Sequence, residues 1–137
     1  MEVGACSSSR ALEALAKIGQ LMDRRGPDDH GDWVDPAGHA GLTFRRLSIL
    51  DLSPTGHQTM VSASGRSVLI FNGEIYNFQE LRAQLSDLGC EFRSTGDSEV
   101  LLAALEQWDL DALPKLSGMF ALAWYEIDHG PRLDARD

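Results

Sequence analysis

Apolar residues recur at helical spacing over residues 10–23, at Leu12, Leu15, Leu21 and Met22. The spacing predicts an amphipathic helix with one greasy side. Ser7-Ser8-Ser9 supply an N-cap, and Arg24-Arg25-Gly26-Pro27-Asp28 stop the helix because Gly and Pro both break it. Residues 40–51 are rich in strand formers, and Val68-Leu69-Ile70-Phe71 is an apolar run that predicts a buried strand. Asn72-Gly73 follows, then Glu74-Ile75-Tyr76. Asn-Gly between apolar runs predicts a hairpin, since both residues tolerate positive φ. Asn77-Phe78-Gln79-Glu80 reads as a capping box opening a second helix. That helix carries Leu81, Leu85 and Leu88 on one face and Gly89 at its C′ position. Residues 92–94 predict a short strand. Asp97 or Ser98 caps a third helix bearing Val100, Leu101, Ala104, Leu105 and Trp108. Pro114 falls in a loop or short helix, and residues 119–127 predict a final buried strand. Consecutive helices and locally paired strands predict an α+β fold with a mostly antiparallel sheet.

Charge narrows the function. Twelve Lys and Arg stand against 21 Asp and Glu in 137 residues, a net charge of −9. Such a surface repels phosphate backbones, which argues against nucleic acid as a partner. The longest wholly apolar stretch, Met119 to Tyr125, falls far short of the about 20 residues a spanning helix needs. No membrane partner is expected, and no apolar stretch near the start reads as a secretory signal. Cys6 and Cys90 form no metal-spaced cluster. Two reduced thiols, a cytoplasmic location and no metal are the expectation.

Four clusters carry candidate chemistry: residues 24–29, residues 45–51, Phe71-Asn72-Gly73-Glu74-Ile75-Tyr76-Asn77, and Gly96-Asp97-Ser98-Glu99. Taken singly, each has a plain structural reading: a turn, a surface Arg46, a hairpin and a helix cap. Together and in this order they are more specific. The chain resembles the glutaminase domain of glutamine-dependent asparagine synthetases, a class II glutamine amidotransferase. The resemblance runs from about Leu21 to Trp124, with Ala135-Arg136-Asp137 as one further block. Pro27 and Phe71 favour the asparagine synthetase branch over two sister branches, the glucosamine-phosphate synthases and the phosphoribosyl-pyrophosphate amidotransferases.

The resemblance implies an N-terminal-nucleophile hydrolase-like αββα sandwich with mostly antiparallel sheets. It implies L-glutamine as substrate. Arg46 would grip the α-carboxylate, because a guanidinium fork matches its two oxygens. Asp97 would hold the α-ammonium, and fixing both ends orients the amide carbon. Asn72 and the Gly73 N–H would form the oxyanion hole, and a glycine there lets the backbone approach the substrate closely. Glu74 would bind the amino end or brace the hairpin. Leu47 and Ile49 would line the pocket, or serve equally well as strand core.

The family's nucleophile is a first-residue cysteine whose own α-amino group can act as base. The chain begins Met1-Glu2-Val3-Gly4-Ala5-Cys6, and Cys6 reads as an ordinary thiol. The expectation is therefore a partial amidotransferase domain over residues 1–137, an incomplete sandwich lacking the nucleophile. A missing strand would leave sheet edges and apolar surface open to association between copies. ATP and Mg²⁺ would belong to a synthetase domain outside these residues, which activates aspartate, and the glutaminase step itself needs neither. The alternatives are a module that binds glutamine without hydrolysing it and a remnant domain that binds nothing.

Overall fold

A computed structural model describes residues 8–24, 29–38, 40–46 and 59–136, with side chains for 10–24, 30–38, 40–44 and 59–129. Helix α1 (Ser8–Met22) precedes strands β1 (Asp29–Val34), β2 (Gly41–Arg46), β3 (Met60–Val61) and β4 (Ser67–Ile75). Helices α2 (Phe78–Asp87) and α3 (Asp97–Trp108) follow, then a 3-10 helix (Asp109–Lys115) and strands β5 (Gly118–Glu126) and β6 (Gly130–Arg136). β1 pairs with β2, and the other strands form a sheet in the order β3-β4-β5-β6. Every described strand pair is antiparallel. The expected α+β class holds.

Alternation along β4 and β5 assigns the faces of the larger sheet. Leu69, Phe71 and Ile75 point to one side, opposite Trp124, Leu122 and Gly118. That side packs against Leu81 and Leu85 of α2 and Val100, Leu101, Ala104 and Leu105 of α3, all buried. Trp124 Nε1 lies in this core with no hydrogen-bond partner among the described residues.

The other face carries Val68 and Tyr125, also buried, and meets the β1–β2 pair. There the Trp33 ring lies 5.2 Å from the Tyr125 ring. The carboxylate of Asp35, buried just beyond β1, bonds the Tyr125 hydroxyl. Burial, then the Asp35 hydrogen bond and charge, push the Tyr125 phenol above its ordinary pKa. On the opposite face of β2, Leu15 of α1 sits against Gly41. The described elements thus stack as helix, sheet, sheet, helices.

Several local expectations are corrected. Asn72-Gly73 makes no turn: β4 runs through both, paired residue by residue with β5 as far as Ile75 opposite Gly118. Tertiary pairing overrides the Asn-Gly preference, and the hairpin lies earlier, where Ser62 and Ser67 close the turn between β3 and β4 around Gly65 at φ 72°.

The capping box at α2 does not form either. Asn77 makes no cap bond; its Nδ2 donates to the Lys115 carbonyl at 2.8 Å and its Oδ1 accepts from the Ser117 N–H at 2.9 Å. Gly89, in contrast, closes α2 as expected: at φ 94° its N–H bonds the Ser86 carbonyl, and the Cys90 N–H bonds that of Leu85. Leu88 is left exposed. Residues 92–94 form no strand. The cap of α3 is Gly96, so Asp97 and Ser98 are its first two helical residues. Of the apolar positions on α1 only Leu15 is buried, while Leu21 is 84% exposed.

Candidate functional site

Burial along β4 reverses after Phe71: Asn72, Gly73 and Glu74 are exposed, and Ile75 is buried again. Asn72 and Glu74 share the face turned away from α2 and α3. Ala121 stands opposite Asn72, and Met119, 67% exposed, opposite Glu74. β3 pairs with Val68 and Leu69 and no further along β4. Among the described residues these three therefore form an open row along β4, with Ala121 and Met119 beside its two side chains.

Gly73 has a structural reason to be glycine. Its φ is 135°, and a Cβ there would overlap the Met119 carbonyl oxygen and Phe120 Cα. The β5 backbone passes too close for any side chain.

Asp97 reaches the same end of β4. As the first residue of α3 it follows the Gly96 cap, and its Oδ2 accepts the Ile75 N–H at 3.0 Å. Placing a carboxylate in the first turn is favourable, because helix N-termini carry partial positive charge. Among the described residues Asp97 has no second hydrogen-bond partner, so its other oxygen is open to a donor. The described geometry thus gathers Asn72, Gly73, Glu74 and Asp97. Arg46 ends β2, opposite Asp29 in the β1–β2 register, and its side chain lies outside the described residues. So do Leu47, Ile49 and Cys6.

Sequence reasoning missed the hydrogen-bond brace just ahead of Asp97. Glu99 Oε1 accepts the Arg93 N–H at 2.7 Å, and its Oε2 accepts the Ser94 N–H at 2.8 Å and the Ser94 hydroxyl at 2.6 Å. A guanidinium nitrogen of Arg82, on α2, donates to the Ser94 carbonyl, and the guanidinium covers the Phe92 ring at 4.8 Å. The signal was present: a Glu three residues after the cap is placed to reach back to N–H groups ahead of the helix. Locating the cap at Asp97 or Ser98 hid it.

Burial raises the Glu99 pKa, but the Ser94 hydroxyl, the two N–H groups and the Arg82 charge outweigh it, so the net shift is downward. Glu106, in α3, behaves alike: burial raises it, while the hydroxyls of Ser62, Ser64 and Ser67 and the Arg66 charge bring it below its ordinary value. A depressed carboxylate pKa stabilises the fold above the unfolded value, about 4.3, and that stability is lost as pH falls through the folded one. Urea midpoints are expected to drop as pH falls from about 5 through the folded-state pKa values, and Glu106→Gln should make the drop shallower. An unchanged slope in that variant would remove Glu106 from the account.

A cavity of about 390 Å³, lined in part by Met60, Ser62, Arg93, Ser94, Glu99 and Leu102, contains none of the row residues. Of its polar lining, Ser94, Glu99 and the Arg93 N–H are engaged in the Glu99 brace, and Ser62 bonds Ser64 and the Ser67 N–H. Among the described residues, no cluster of three or more His, Cys, Asp or Glu could hold a metal ion, and no helix is long and apolar enough to cross a membrane.

Comparisons with known proteins bear on the family and the fold. The model of a glutamine amidotransferase domain matches residues 3–137. A putative glutamine-hydrolysing asparagine synthetase of Mycobacterium tuberculosis is 40% identical over 135 residues, covering 93% of this chain and 21% of that protein. Asparagine synthetase 1 of Bacillus subtilis, also glutamine-hydrolysing, is 42% identical over 118 residues, 85% of this chain and 18% of that protein. The chain spans about a fifth of the length of the curated relatives it matches. Among solved structures, the glutamine phosphoribosylpyrophosphate amidotransferase of B. subtilis matches with a TM-score of 0.51 at 21% identity, over 64% of this chain and 21% of that one. That likeness is one of fold, and it is the N-terminal-nucleophile hydrolase fold expected from the sequence. With a family model matched along almost its whole length and relatives at this identity, the chain belongs to the glutamine amidotransferase domain family, in the form found in asparagine synthetases.

Proposed function

We propose that the chain binds L-glutamine at the Asn72–Glu74 row and supplies the charge-stabilising half of its amide hydrolysis. The observation that carries this reading is the convergence of an exposed Asn72-Gly73-Glu74 row with an Asp97 carboxylate tied to the next N–H of the same strand. Asp97 and Glu74 take the α-ammonium, and Arg46 takes the α-carboxylate by a bidentate bond. Leu47 and Ile49 line the aliphatic stem. With both ends fixed, the amide carbonyl lies along β4, where the Asn72 side-chain N–H and the Gly73 N–H face the developing oxyanion. The attacking thiolate is the family's N-terminal cysteine. Residues 1–137 then form part of one amidotransferase domain. In the parent protein the released ammonia would pass to aspartate in a synthetase domain that uses ATP and Mg²⁺, within a cytoplasmic enzyme open to self-association.

Calorimetric titration of the chain with L-glutamine tests the binding half. Removing a charge-assisted hydrogen bond costs about 1.5–3 kcal/mol, so Asp97→Ala is expected to weaken binding roughly 10- to 150-fold. A glutamate-release assay on the same samples separates hydrolysis from binding alone, the second reading. A folded wild-type chain that takes up no glutamine, or an Asp97→Ala variant with an unchanged Kd, would overturn the assignment.

A further inference from the structure

The Asp97 carboxylate cannot orient itself. It sits on the first residue of α3, and the loop that delivers it, residues 91–96, has no strand or helix of its own. We infer that Glu99 is the positioning residue for ammonium recognition: its carboxylate fixes this loop and so aims Asp97 at the end of β4. The inference rests on the glutamine-binding reading above and extends it to a residue that touches no substrate.

Three hydrogen bonds converge on this one side chain, and every partner is a donor: the Arg93 N–H, the Ser94 N–H and the Ser94 hydroxyl. The Ser94 oxygen in turn accepts the Gly96 N–H at 3.4 Å, a weaker link that carries the bracing to the cap residue itself. From the other side, Arg82 bonds the Ser94 carbonyl. Ser94 is thereby held by both helices, three residues before Asp97. Gly96 has no side chain to cap α3, and Glu99 instead reaches back from the first turn to hold the loop ahead of it. The chemistry demands a carboxylate. A glutamine at position 99 would turn its NH₂ toward a second donor, and an aspartate would be one methylene short of spanning Arg93 and Ser94.

The test uses the whole chain and two ligands: L-glutamine, and 4-carbamoylbutanoate, which is glutamine without its ammonium group. Glu99→Gln is expected to weaken glutamine binding at least about tenfold, a factor worth 1.4 kcal/mol, and to leave 4-carbamoylbutanoate unchanged. A loss that is equal for both ligands would mark Glu99 as a general fold residue and overturn the proposal. Amide hydrogen exchange provides the second arm. The Ile75 N–H, bonded to Asp97, should exchange at least about tenfold faster in the variant while Leu69 and Leu122 keep their protection. Unchanged Ile75 exchange would overturn the proposal even if glutamine affinity fell. Should the wild-type chain bind no glutamine, the glutamine-binding reading fails, and the exchange arm still decides whether Glu99 sets Asp97. If Glu99→Gln does not fold, Ser94→Ala, which removes one donor and keeps the carboxylate, is expected to shift both readouts in the same direction by a smaller factor.

Discussion

Gly73→Ala is expected to cost more than about 4 kcal/mol, the range reserved for substitutions that break a specific constraint. The new methyl would overlap the Met119 carbonyl oxygen and Phe120 Cα, which are backbone atoms of the neighbouring strand and cannot rotate away. The φ of 135° adds a conformational penalty of about 1–3 kcal/mol. Gly89→Ala is the control. Gly89 also has a positive φ, 94°, but nothing lies within 4 Å of an added Cβ. Only the left-handed penalty of about 1–2 kcal/mol applies there. Urea unfolding of the two variants separates the causes. A Gly73→Ala chain within about 1 kcal/mol of wild type would mean that β5 does not approach β4 as described.

The second large effect lies in the core under the site. Leu85 is fully buried between α2 and the sheet, whereas Leu88, three residues on, is 56% exposed. Leu85→Ala should lose about 2–5 kcal/mol, the transfer free energy of the removed atoms plus the cavity left behind. Leu88→Ala should stay within about 0.5 kcal/mol. Similar losses at both positions, read from denaturant midpoints at constant slope, would show that α2 docks in a different rotation. A loosened α2 would also move Arg82, and with it the loop that delivers Asp97.

The contrast between these two leucines explains what the sequence could reveal. Helical periodicity named both, correctly assigned the helix and found Gly89 at its end, because these are local properties. It could not tell which end of the stripe reaches the sheet, because that depends on where α3 and β5 lie. Asn72-Gly73 failed for the related reason that turn preference is local and strand pairing is not: nine residues of β4 pair with nine of β5, and the turn that the dipeptide favours would break that ladder. The family motifs pointed to Asn72, Gly73, Glu74 and Asp97, and the fold gathers those four at one end of β4. Glu99 was visible within its motif but had no assigned task, because its partners Arg93 and Ser94 lie in a loop without periodicity.

The hydrogen bond from the Ile75 N–H to Asp97 has a thermodynamic corollary. A free aspartate samples several rotamers, and a ligand that captures one of them must freeze the rest, a cost of order 0.5–1.5 kcal/mol for a rotamer-rich side chain. Here one oxygen is already committed to the strand and the helix start is locked behind it. The freezing happens when the chain folds, not when the ligand arrives. On the proposed reading, recognition at this end of β4 is a rigid fit: its entropy change should reflect displaced water and the ligand's own torsions, with little contribution from the protein.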